Sequence, residues 1–219
     1  GSRQVWSFAW APDGNALAVI TTDAPDMNAL CEPCDLWLVP ASGGLRRHLA
    51  RFPDHADCPV FVETPEGAAV AVRTNWHRDD PADSVWLVPL SGGAPRKILP
   101  DLAGNVDHLR EIPGKPGSVA LRIVEGTHAS VYRFDIATAT LAPLTPPGLH
   151  REGSVLFGPG LSAGGTTLAV VWADGHIPQE VYVSRAGEEA MPVTSLGQAF
   201  VGRLQPVEHV SWTSDGVEI

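Results

Sequence analysis

From Trp6 to Leu49 the chain alternates short apolar runs with turn residues. The first run, Ser7-Phe8-Ala9-Trp10, stops at Ala11-Pro12-Asp13-Gly14, and a second, Ala16 to Thr21, follows at once. Pro presets one backbone angle of a tight reversal and Gly accepts the other. After an irregular stretch, Thr22 to Cys34, come a third run, Asp35 to Val39, a Ser42-Gly43-Gly44 turn and a fourth run. These runs are rich in Val, Ile, Leu, Thr and Trp and too short for helices, so they predict four antiparallel strands within about 45 residues.

The pattern then repeats. Asp35-Leu36-Trp37-Leu38-Val39-Pro40 returns as Ser84-Val85-Trp86-Leu87-Val88-Pro89, as Ser130-Val131-Tyr132-Arg133-Phe134-Asp135, and as Glu180-Val181-Tyr182-Val183-Ser184. The aromatic markers Trp37, Trp86, Tyr132 and Tyr182 fall 49, 46 and 50 residues apart. The first turn recurs at Thr64-Pro65-Glu66-Gly67, at Ile112 to Gly117 and at Ser162-Ala163-Gly164-Gly165, each time followed by small and branched apolar residues. Two markers sharing one period predict an all-β fold, a partial β-propeller of about four blades, each of four antiparallel strands. A β-sandwich with evenly spaced turns is the alternative. The expected blades cover residues 3–51, 58–100, 104–146 and 153–196, leaving a segment, 199–219, too short for a fifth.

Composition narrows the function classes. A chain of 219 residues at 44% apolar can bury about 70% of its unfolded surface. With 22 Gly, 20 Pro and 18% charged residues it suits a turn-dense β protein. No run approaches the roughly 18 apolar residues of a spanning helix, so no membrane partner is expected. A net charge of −10, with no basic cluster larger than Arg46-Arg47, argues against a nucleic-acid partner. Gly1-Ser2 reads as a cloning remnant, so a native leader is not visible.

In an up-and-down blade the first and third turns lie at one end and the middle loop at the other. The first and third turns are tight in nearly every copy, whereas the middle loops vary: Thr22 to Cys34, Arg73 to Pro81, Glu125 to His128, and Ala173 to Pro178. Function usually rides on variable loops held by a rigid scaffold, so the middle-loop end is the expected working face. Within it, Arg73 is suited to gripping a carboxylate with both arms of its fork. Trp76, His77 and Arg78, beside Asp79 and Asp80, form a titratable cluster that could meet a peptide end or a neighbouring domain; a solvated ion-pair loop is the alternative. Trp10, Trp37, Trp86 and Trp172 lie on strands and read as blade-packing residues.

Two motifs suggest chemistry. Gly160-Leu161-Ser162-Ala163-Gly164 matches G-x-S-x-G, but a nucleophile elbow needs a helix after the Ser, and a β-branched run follows instead. In the repeat register Ser162 is a turn serine, and no catalytic residue is assigned. Cys31-Glu32-Pro33-Cys34, with His55 and Cys58 near, has thiol spacing, yet a second ligand pair for zinc is missing and the pair is not at a helix start. No metal and no cofactor are expected. Three cysteines cannot all pair, and their pairing stays open; the odd number favours a reducing, cytoplasmic setting.

Leu144-Thr145-Pro146 closing a blade, Gly160-Leu161-Ser162 approaching a turn, and Pro206 to Ile219, containing Ser211-Trp212-Thr213-Ser214-Asp215-Gly216, resemble the prolyl oligopeptidase family of serine peptidases, nearest its acylaminoacyl-peptidase and dipeptidyl-peptidase branch. The turn motifs alone also fit TolB-type propellers. The family resemblance implies that this chain is the C-terminal part of a propeller, that an α/β-hydrolase domain follows, and that the propeller admits only short peptides to the active site. Its partners would be that hydrolase domain, the remaining blades and peptide substrates. The alternative is a free-standing TolB-like or sugar-binding propeller module that acts by binding alone.

Four blades of a seven-blade ring do not close it. Each end blade would then expose an apolar flank of about 500 Å², worth about 12 kcal/mol at 25 cal/mol per Å². That equals the stability of a typical domain, about 5–15 kcal/mol. The expected outcomes are self-association through the flanks or completion by blades on another chain, with a closed four-blade ring third.

Overall fold

The computed structural model describes residues 3–23, 32–75, 82–151, 153–162, 164–185, 188–205, 208 and 210–218. The expected β architecture is present as four sheets of four antiparallel strands. The first holds β1 (Gln4–Trp10), β2 (Ala16–Thr22), β3 (Cys34–Pro40) and β4 (Arg47–Phe52), hydrogen-bonded in that order. The second holds β5 (Ala56–Thr64), β6 (Gly67–Thr74), β7 (Ser84–Pro89) and β8 (Arg96–Lys97). The third holds β9 (Asn105–Glu111), β10 (Ser118–Glu125), β11 (His128–Asp135) and β12 (Thr140–Pro143); the fourth, β13 (Val155–Leu161), β14 (Thr167–Ala173), β15 (Glu180–Arg185) and β16 (Met191–Pro192). A two-stranded hairpin, β17 (Thr213–Ser214) and β18 (Val217–Glu218), comes last.

The turn chemistry acts as the sequence predicts. At the β1–β2 reversal Gly14 has φ +70° and donates to the Ala11 carbonyl at 2.9 Å. That left-handed angle is nearly free for Gly and strained for other residues. The Asp13 carboxylate accepts from the Asn15 amide at 3.0 Å and steadies the same turn.

The chain divides into two compact units, 1–125 with 131–143, and 126–130 with 144–219. In the first unit β1 runs beside β5, and β5 beside β9, so the innermost strands of successive sheets are neighbours. Two apolar seams lie between the sheets. Ala18, Ile20, Leu36 and Phe52 of the first sheet meet Val70, Val72 and Val88 of the second. On the other side of the second sheet, Ala69, Ala71, Val85 and Leu87 meet Val106, Val119, Leu121 and Ile123 of the third. Alternate residues of β6 thus enter opposite seams, as a period of two demands. This explains why Ala69-Val70-Ala71-Val72 is apolar throughout: both faces are covered.

In the second unit Leu156, Leu168, Val170, Trp172 and Tyr182 are buried. The Trp172 ring meets Tyr182 edge-on at 5.3 Å, and its indole N–H donates to the Leu149 carbonyl at 2.9 Å. Trp172 is therefore a packing residue, as expected. Trp10 is not: it is 57% exposed, because β1 presents Phe8 and Trp10 on the side of its sheet that no other sheet covers among the described residues.

Candidate functional site

The middle-loop end of the first unit gathers its charges. Cβ directions alternate along a strand, and an extra residue reverses their phase. Each innermost strand carries such an irregularity near this end: between Val5 and Ser7, between Asp57 and Val60, and opposite Arg122 and Ile123. At the second of these Cys58 has φ +49°, a conformation that costs a non-glycine residue about 1 kcal/mol or more. The bulge lets Asp57 face the guanidinium of Arg73, its partner across the β5–β6 ladder.

Arg73, expected to grip a ligand carboxylate, has its fork turned to two carboxylates of its own sheet. Nε donates to Asp57 Oδ1 at 2.7 Å, Nη2 pairs with Asp57 Oδ2, and Nη1 donates to Asp83 Oδ2 at 2.7 Å. Burial works against the charge, but the bonds to Asp57 and the field of Asp83 hold the Arg73 pKa above its usual value. Asp83 also ties into the third sheet, its amide donating to Asn105 Oδ1 at 2.7 Å and its carbonyl accepting from Val106 at 3.1 Å. Arg73 and Asp83 therefore close the base of the second middle loop. Trp76, His77 and Arg78, the other expected site residues, lie outside the described residues.

His55 sits against this network, with Nε2 3.5 Å from Asp83 Oδ1 and Nδ1 3.7 Å from Asp54 Oδ1. Its bond to Asp83 raises its pKa above the ordinary imidazole value, against the pull of burial. The sequence marks His55 only as a possible zinc ligand; its carboxylate neighbours come from the residue just before β7 and the turn before β5, which no spacing rule connects. Arg122 pairs with Asp107 in the third sheet. In the first sheet the buried Asp35 accepts from Arg3 at 2.7 Å, Arg51 at 2.9 Å and His48 at 2.8 Å. Burial would raise the Asp35 pKa, yet the bonds from His48 and Arg3 hold it below the usual carboxylate range.

Ser162 lies in the β13–β14 turn. Its hydroxyl accepts from the Thr167 amide at 3.1 Å, its own amide donates to Thr167 at 2.9 Å, and its carbonyl accepts from Gly165 at 2.7 Å. A strand follows it, so the strand-to-helix corner of an elbow is not formed there. A serine–histidine pair that the sequence did not suggest occurs in the second unit, where Ser130 Oγ and His150 Nδ1 are 2.7 Å apart. Ser130 is 1% exposed, so its hydroxyl offers no face to a substrate. Cys34 is buried in the seam of the first two sheets, where burial pushes its thiol pKa up; burial lifts that of Cys58 to about 11. Both are unpaired thiols, and Cys31 lies outside the described residues. Among the described residues no three His, Cys, Asp or Glu side chains are grouped to hold a metal ion.

Innermost strands side by side, with four-stranded antiparallel sheets behind them, define a β-propeller protein. Solved structures agree. The chain is similar to the acylaminoacyl peptidase of Pyrococcus horikoshii, with TM-score 0.66 and 14% identity over 99% of this chain and 31% of that one. It is similar to TolB from Acinetobacter baumannii, with TM-score 0.59 and 18% identity over 88% of this chain and 44% of that one. It is also similar to the oligogalacturonate lyase of Vibrio parahaemolyticus, with TM-score 0.67 and 16% identity over 88% of this chain and 54% of that one. The chain thus spans about a third to a half of these proteins, and at such identities the likeness is one of fold, including propellers like those of the prolyl oligopeptidase family. No protein-family model and no curated protein matches the sequence.

Proposed function

We propose that the chain is a non-catalytic, access-limiting part of the propeller of a serine peptidase acting on short peptides. The observation that carries this reading is the segment from Val210 to Glu218. It bears the family-like Ser211 to Gly216 motif, folds as the β17–β18 hairpin, and leaves Val210, Trp212 and Val217 at 66%, 59% and 60% exposure. Such a row of apolar side chains is suited to docking a following α/β-hydrolase domain. The peptide enters from the middle-loop end. There Arg73 acts as a positioning residue that anchors the second loop, and Trp76, His77 and Arg78 on that loop meet the peptide or the catalytic domain. A rigid ring excludes folded proteins by size alone and needs no reactive group.

A free-standing binding module is the competing reading, favoured by the likeness to the lyase, as high as that to the peptidase, and by the somewhat lower likeness to TolB. Expression of this chain together with the polypeptide its gene encodes after it distinguishes the two. The peptidase reading expects cleavage of short acylated peptides, and loss of size selection when the propeller is deleted. A gene that encodes no hydrolase segment overturns it.

A further inference from the structure

Within the first unit, successive sheets meet through one recurring pair of faces. Val19, Val72 and Val170 stand opposite the aromatic markers Trp37, Trp86 and Tyr182 on the third strands. Ala18, Ala71 and Ala169 stand opposite Leu38, Leu87 and Val183, one position further on and on the reverse side. In both seams of the first unit an alanine-bearing face meets a branched one: Ala18 and Leu36 against Val70 and Val72, then Ala71 and Val85 against Val119 and Leu121. Small residues on one side let the branched side chains of the other seat fully, which gives the seam its direction.

Two faces of this kind have no counterpart in their own unit. The branched face of the first sheet carries Leu17 and Val19 beneath Trp10 and Phe8, which are 57% and 60% exposed. The alanine-bearing face of the fourth sheet carries Ala169, Val171, Val181 and Val183, rimmed by Val155 and Met191 at 40% and 65% exposure. The third turns at the same end of each sheet are complementary in charge. Arg46 lies over the Trp37 ring at 4.5 Å from its centre, and Glu188 and Glu189 are exposed between β15 and β16.

We infer that this chain self-associates head to tail, the alanine-bearing face of the fourth sheet in one copy seating on the branched face of the first sheet in the next. The contact is heterologous: two different patches meet, and each copy offers one of each. It repeats the two seams inside the first unit, with Arg46 brought to Glu188 and Glu189. It rests on the propeller fold and not on the peptidase reading, so either can fail without the other.

Light scattering on the 219-residue chain at about 100 µM, with Trp10→Glu and Met191→Glu as variants, tests this. The chain is expected to exceed the 23.2 kDa of one copy. Each variant alone is expected to associate at least about 30-fold more weakly, the effect of placing an unpaired carboxylate in an apolar contact. An equimolar mixture of the two variants is expected to recover a dimer, because each supplies the face the other lacks. Both positions are exposed, so folding is retained, and Phe8→Lys and Val155→Lys serve as a second pair with circular dichroism as the check. A monomeric wild-type chain, loss of association through one face only, or a mixture that stays monomeric overturns the inference.

Discussion

Replacing Arg73 by Met separates a side chain that holds the sheet together from one that waits for a ligand. Its side chain is 16% exposed, between Asp57 and Asp83 at 21% and 13%. Met fills most of the space but leaves two carboxylates facing each other without their cation. Breaking a buried ion pair on one side costs about 3–5 kcal/mol, and the partial exposure of Asp57 puts this case near about 3 kcal/mol. With a urea dependence of about 2–3 kcal/mol per M for a chain of this size, the unfolding midpoint should fall by about 1 M. The triple variant Asp57→Asn, Arg73→Met, Asp83→Asn removes the charges together and should recover to within about 1 kcal/mol of the wild type. A midpoint shift for Arg73→Met below about 0.2 M, or a triple variant no better than the single one, would refute the assignment of Arg73 as the anchor of its loop.

The seam code can be read the same way: Ala71→Leu, in a closed seam at 0% exposure, should cost about 1–3 kcal/mol by overpacking. Ala169→Leu, on the open face of the fourth sheet, should stay within about 0.5 kcal/mol in denaturant titrations at dilutions where the chain is monomeric. For His55 the folded pKa is raised above 6.5, chiefly by Asp83, with Asp54, Asp57 and Arg73 also nearby. Its contribution is complete below the unfolded value of 6.5 and is lost as pH rises through the higher folded value. His55→Gln should therefore cost most stability near pH 5, and its difference from the wild type should shrink as pH rises above 6.5, read from denaturant midpoints at each pH. Cys58, half-buried with a thiol at about 11, should be labelled by a thiol reagent at pH 8 about 100-fold more slowly than an ordinary cysteine, by residue-resolved mass spectrometry; labelling at the ordinary rate would contradict its raised pKa.

The blade pattern was legible because turn chemistry and a period-two apolar code are local, and the third-strand aromatic returns in each copy. The direction of the seams was also written in the sequence, as the alanines at 18, 71 and 169, but their meaning depends on which residue stands across the ladder. The charge network was not legible. Asp57, Arg73, Asp83 and Asn105 come from three strands and a loop end, and the bulge that turns Asp57 toward Arg73 leaves Cys58 at a positive φ that nothing in Asp57-Cys58-Pro59 announces. Trp10, an aromatic on a strand, reads as a packing residue from its sequence position alone; which face of its sheet is covered is a matter of tertiary packing, and Trp10 lies on the exposed one.

Intact-mass analysis after incubation with a fluorophosphonate probe tests the central claim, that these sheets shape access and carry no activated nucleophile. The account predicts an unmodified chain, because the Ser162 hydroxyl is engaged by the Thr167 amide and Ser130 is buried beside His150. A single adduct mapping to Ser162 or Ser130 would contradict it.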